Sequence, residues 1–96
     1  MKNRAKLKEL TSRVDEVLYY LWDPIGVSDN PCARGEYSGY VGSIVSLLIN
    51  EREDKVEKQL SQIESTSMGK AINLERNRFI AQRLIEELDA VKEGLR

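Results

Sequence analysis

A chain of 96 residues, 41% hydrophobic and 32% charged, has the length of one domain and too little for two. Histidine is absent and Cys32 is the only cysteine, which excludes imidazole catalysis, His- and Cys-ligated zinc and an internal disulfide. With 15 basic against 16 acidic side chains the net charge is −1, so bulk charge favours neither nucleic acid nor membrane.

The charge is unevenly spread. Residues 1–13 carry Lys2, Arg4, Lys6, Lys8 and Arg13 against Glu9, a net of +4, whereas residues 14–50 carry Arg34 against Asp15, Glu16, Asp23, Asp29 and Glu36, a net of −4. A basic N-terminal arm is one way to meet phosphate, and a solvated helix start explains it equally well. This stretch is broken by charge throughout and lacks the apolar run of a signal peptide. The longest apolar segment, Tyr40 to Ile49, is interrupted by Gly42, Ser43 and Ser46 and falls short of the ~20 residues that span a bilayer. A cytoplasmic protein without membrane association is expected.

Leu7, Leu10, Val14, Val17, Leu18 and Leu21 recur every three or four residues, which predicts an amphipathic helix from about Arg4 to Trp22. Ser12 with Asp15 resembles a capping box, but the apolar stripe begins before it and favours the longer helix. Pro24 disfavours the α conformation at Asp23 and ends the helix there. Asp23 to Pro31 has loop composition.

Asn30 before Pro31 reads as an N-cap followed by proline at the first helical position. A second helix is predicted from there to about Ile49, with Tyr37, Tyr40, Val41, Ile44, Val45, Leu47 and Leu48 nearly encircling it, so it should be the most buried element. Gly35, Gly39 and Gly42 interrupt it and, with Ser38, Ser43 and Ser46, form a face of small side chains. Three readings stand: an irregular or 3₁₀ first turn with the regular helix starting near Glu36, close approach of a neighbouring helix, or a face that receives a partner.

Asn50 with Glu53 is a second capping-box pattern and predicts a third helix starting there. Val56, Leu60 and Ile63 give it a narrow stripe suited to the edge of the fold, and Gly69 after Met68 suits its C-terminal end. Asn73 is the expected cap of a last helix running to Glu93, with Leu74, Ile80, Ala81, Leu84, Ile85, Leu88 and Val91 as its apolar face. Gly94 and Leu95 fit a Schellman ending. No period-two alternation, repeat or low-complexity run occurs, so the predicted fold is all-α, a single helical domain over 1–96 forming an irregular bundle of about four helices.

The segment Trp22-Asp23-Pro24-Ile25-Gly26-Val27, followed by Pro31, Ala33, Glu36-Tyr37 and Tyr40, resembles the YugE-like family of small bacterial helical proteins of unassigned biochemical role. The resemblance runs from about Val17 to Leu48, a third of the chain, and beyond it extends only to helix order. Some proteins with this signature look like immunity partners of bacterial toxins. Gly35 departs from the family pattern, in which an acidic residue precedes the Glu-Tyr pair, so no doubly acidic site is carried over.

Every residue of the same loop also has a structural use: Asp23 in an Asx-turn, Pro24 fixing φ, Gly26 at positive φ, Ile25 and Val27 as plugs, and Trp22 covering the bundle end. The functional reading is a contact patch of Trp22, Asp23, Asp29, Glu36, Tyr37 and Tyr40, since aromatic residues with a polar tip are enriched at interface hot spots. Nothing in the sequence sets the separation of Asp23 and Glu36 for acid/base work, Cys32 has no histidine to activate it, and the acidic spacing matches no EF-hand. Arg76, Arg78 and Arg83 are followed closely by Glu86, Glu87 and Asp89, as on an ordinary solvated face. The sequence therefore points to a non-enzymatic protein-interaction module, of immunity or regulatory type, with no catalytic residue, metal or cofactor. Nucleic-acid binding through the basic arm and self-association through the small-residue face or the last helix are the alternatives.

Overall fold

Asn3 starts the first helix by accepting the amides of Ala5 and Lys6 on its Oδ1 at 2.8 and 3.2 Å. The computed structural model describes residues 3–94. Helix α1 (Arg4–Glu16) continues into a π-helical segment, Val17–Trp22, so the turn ends where Pro24 was expected to end it. The widening has a consequence for burial. With i→i+5 bonds each residue turns less about the axis, and the stripe begun by Leu10 and Val14 reaches Trp22 instead of Leu21. Trp22 is 1% exposed and Leu21 44%, which corrects the placement of Leu21 on the buried stripe.

The Asn30 carboxamide caps a 3₁₀ turn, Pro31–Ala33, by accepting the Cys32 amide at 3.1 Å. Regular helix begins only at Ser38, so the first turn is irregular, as the first of the three readings expects. Helix α2 (Ser38–Ile49) buries Val41, Ile44, Val45 and Leu48 but leaves Ser38, Gly39, Gly42, Ser43 and Ser46 exposed. It is therefore not enclosed on all sides. A Cβ built on Gly39 or Gly42 meets nothing within 4 Å, so no neighbouring helix within the described chain requires these glycines.

Asn50 does not start the third helix. It terminates α2, its amide bonding to Ser46, and the chain then reverses through Glu51 at φ 58°. The Arg52 amide reaches the Leu47 carbonyl at 2.8 Å and that of Glu51 reaches Leu48 at 3.3 Å, the pairing of a Schellman ending with glutamate where glycine is usual. A 3₁₀ turn, Glu53–Lys55, leads into α3 (Val56–Gln62), which widens into a second π-helical turn, Ile63–Ser67. Gly69 follows at φ 65° as the expected C-terminal glycine.

Asn73 caps α4 (Leu74–Lys92), taking the Arg76 amide at 3.0 Å, and Gly94 closes it at φ 75°. Leu95, the expected hydrophobic partner of that ending, lies outside the described residues. Leu74 is 57% exposed and so does not belong to the apolar face of α4. No strand occurs among the described residues.

Helix α1 packs against α2 and α4, and α3 against α4. One continuous core joins Leu10, Val14, Val17, Leu18, Ile44, Leu48, Leu60, Ile80, Leu84 and Leu88 from all four helices. An ionic chain ties α1 to α4: Arg13 contacts Glu9 at 3.0 Å and Glu87 at 2.6 Å, and Arg83 contacts Glu87 at 2.9 Å. Burial pushes the Glu87 carboxyl up, but hydrogen bonds from Arg83 and Arg13 more than offset this and leave it below its ordinary value.

A buried polar cluster joins three elements beneath the π-helical turns. The Trp22 indole N–H donates to Asn77 Oδ1 at 2.8 Å, and Asn77 Nδ2 donates to Glu64 Oε1 at 3.0 Å and Ser61 Oγ at 3.1 Å. Glu64, 2% exposed, also accepts the Asn73 amide at 3.1 Å and is paired with Arg76. A carboxylate at the end of the α3 stripe is thus tolerable only because α4 brings it an arginine and an amide.

Candidate functional site

The loop after Trp22 is held by two tyrosines and one aspartate. Asp23 adopts the left-handed conformation at φ 36°, which an Asp tolerates better than most residues. Its Oδ1 accepts the Tyr37 hydroxyl at 2.6 Å and the Val27 amide at 2.8 Å, while its Oδ2 accepts the Ser28 amide at 3.0 Å. The Tyr37 oxygen in turn accepts the Ile25 amide at 3.2 Å. From the other side, the Tyr19 hydroxyl is shared between the carbonyls of Val27 at 3.0 Å and Asn30 at 2.8 Å.

These bonds shift the titration of the groups that make them. Burial raises the Asp23 carboxyl, yet the hydrogen bonds from Tyr37, Val27 and Ser28 outweigh it and leave the group lowered. Burial, reinforced by the bond to Asp23, holds the Tyr37 hydroxyl well above the ordinary tyrosine range. Asp23 stays ionised and Tyr37 protonated across the neutral range, so the pair works as a fixed clasp.

The expected patch is therefore reduced. Trp22 and Tyr37 are each 1% exposed and cannot form an outer contact surface. Asp23 has both oxygens occupied by the loop, and Tyr40 is half-buried against the core. Asp29 and Glu36 alone of the six are exposed. Trp22 and Tyr37 fill the bundle end instead, their ring centres 5.7 Å apart.

Two residues outside that patch complete the surface. The Arg34 guanidinium sits 4.7 Å from the Tyr19 ring centre and 5.3 Å from that of Tyr20, and pairs with Asp15 at 2.9 Å. The two tyrosine rings meet edge-to-face at 4.8 Å. Tyr20 is 57% exposed and, with Tyr19, Ser28, Asp29, Pro31 and Arg34, lines a hollow of about 370 Å³. A sequence signal existed for Arg34, the lone cation among the five acidic residues of 14–50, but not for Tyr20, which lies three residues after Val17 on the spacing of the first helix.

The basic N-terminal segment is part of the fold. Arg13 is engaged with Glu9 and Glu87, and Lys6 Nζ donates to the Lys92 carbonyl at 2.9 Å. Arg4 and Lys8 line a groove of about 620 Å³ between α1 and α2 that also holds Leu7, Val41 and, at its far end, Asp15. Mixed charge around an apolar floor is unlike a phosphate track. Lys2 lies outside the described residues.

Among the described residues no three carboxylates or thiols converge as metal ligands, and no helix is long and apolar enough to cross a membrane. No family model matches the chain, and neither a curated protein nor a solved structure resembles it significantly.

Proposed function

We propose that the chain is a non-enzymatic interaction module that binds another protein at the hollow between the Val17–Trp22 turn and the following loop. The observation that carries this reading is Tyr20, more than half exposed yet held between the Tyr19 edge and the Arg34 guanidinium beside Asp29. Tyrosine and arginine are the residues most enriched at binding hot spots, and here both are immobilised before any partner arrives. Asp29, which lines the hollow, favours a partner that brings a basic side chain.

Asp23, Tyr19 and Tyr37 serve this site by fixing the loop and need not touch the partner. The likeness of the Trp22–Val27 segment to loops of immunity-type proteins supports a bacterial toxin as the first partner to test. Exposed Cys32, next to Pro31 on the rim, accepts a photo-crosslinker without other labelling, since it is the sole cysteine. Irradiation in a lysate of the source cell, or with candidate toxins, should yield one saturable protein adduct that is lost in Tyr20→Ala and in Asp29→Lys. Adducts that neither saturate nor respond to these substitutions would overturn the reading.

A further inference from the structure

The chain has one phenylalanine, and among the described residues it is the most exposed large hydrophobic one. Phe79 is 62% exposed on the outer side of α4, and Leu74 is 57% exposed. Leu74, Glu75, Arg78, Phe79 and Gln82 line a shallow hollow of about 770 Å³. Adjoining exposed apolar side chains on a helix are a candidate contact surface.

The charges around Phe79 indicate what covers it. Glu75 and Arg83 lie four residues before and after it, on the same i±4 row and about 6 Å away along the axis on each side. This row reads acid, phenylalanine, base. A row with that order is its own complement when reversed, because a two-fold axis at Phe79 brings Glu75 of each copy opposite Arg83 of the other. We infer that the outer face of α4 binds a second copy of this chain, the two helices running antiparallel and the two Phe79 rings meeting at the axis. Arg83 gives its Nε–H to Glu87 and remains 44% exposed, so its other donors are accessible to a carboxylate. The inference is independent of the loop hollow, which uses none of these residues.

Leu74 and Phe79 from each copy and two ion pairs make a contact below the standard size of stable interfaces, so the dimer belongs to the weak class, with a dissociation constant on the order of 100 µM. Sedimentation equilibrium of the full chain from about 10 µM to 1 mM should show the average mass rising from one chain towards two. Phe79→Glu should remain monomeric throughout. Glu75→Arg and Arg83→Glu should each weaken association about tenfold or more, and the two together should restore it. Circular dichroism checks that each variant is folded, and Phe79→Ser replaces Phe79→Glu should the latter unfold. A wild-type chain that stays monomeric at the highest concentration, association unaffected by loss of the ring, or a double variant no better than the singles would each overturn the proposal.

Discussion

Asn77 is fully buried on α4 and joins elements distant in sequence, so its side chain is the sharpest place to perturb the fold. Asn77→Ala removes the acceptor of the Trp22 indole N–H, a donor to Glu64 and a donor to Ser61. An indole N–H left without a partner at a site 1% exposed costs about 1–3 kcal/mol. Loss of one charged hydrogen bond at Glu64, which keeps Asn73 and Arg76, adds about 1 kcal/mol, and the void left behind on the order of 1 kcal/mol more. The total is about 3–5 kcal/mol. Against the roughly 5–15 kcal/mol stability of a small domain, the variant should remain folded at room temperature but melt at least 12 °C lower.

Thermal melts followed by circular dichroism measure the loss, and emission of the single tryptophan reports on the indole itself. A double-mutant cycle isolates the bond. In a Trp22→Phe background the donor is gone, and Asn77→Ala should cost about 1–3 kcal/mol less than in the wild type. Costs that add within about 0.5 kcal/mol would show that the indole bond is not what Asn77 supplies, and would refute the reasoning.

Further consequences can be measured on the same instrument. Glu51→Gly relieves a left-handed glutamate at the end of α2 and should stabilise by about 1 kcal/mol, raising the melting temperature by roughly 4–8 °C; a lower value would refute the Schellman assignment. Gly39→Ala and Gly42→Ala, with open space around the new methyl, should each stabilise by about 0.5–1 kcal/mol, and destabilisation would mean that the backbone there is constrained in another way. Asp23 and Glu87 have lowered carboxyls, so their contributions are complete above the ordinary carboxylate value and disappear as the pH falls below about 4. Urea midpoints should fall over that window, and Asp23→Asn should flatten the decline. Tyr37 is raised, so its contribution holds below about pH 10 and is lost above it, a loss that Tyr37→Phe should remove.

Much of the fold was legible because the signals are local. Asn3 was not anticipated as a cap, but Asn30, Asn73, Gly69 and Gly94 act where their own backbone preferences predict, and Pro24 stops the first helix one residue after Asp23 leaves it. Asn50 misled for an equally local reason. Its spacing to Glu53 imitates a capping box, whereas the preceding turn of α2 already claims its amide. Of the candidate site, Asp29 and Glu36 were placed on the surface correctly. Trp22 covering the bundle end and Tyr37 in the apolar set of the second helix were legible as well, and only the contact-patch reading of these two fails, on their 1% exposure.

The chain alone establishes an all-α fold, the approximate order of its four helices and the absence of imidazole chemistry and of an internal disulfide, since composition and short-range periodicity suffice for each. Tertiary structure alone decides where the buried faces of those helices end. An i→i+5 turn rotates Trp22 into the place the α-helical spacing assigns to Leu21, and Asn77, 55 residues further on, meets its indole there. It also leaves Leu74 and Phe79 outside, because α4 has enough apolar positions to fill the shared core without them. Register and long-range pairing are properties of the packed helices, and no window of the sequence contains both partners.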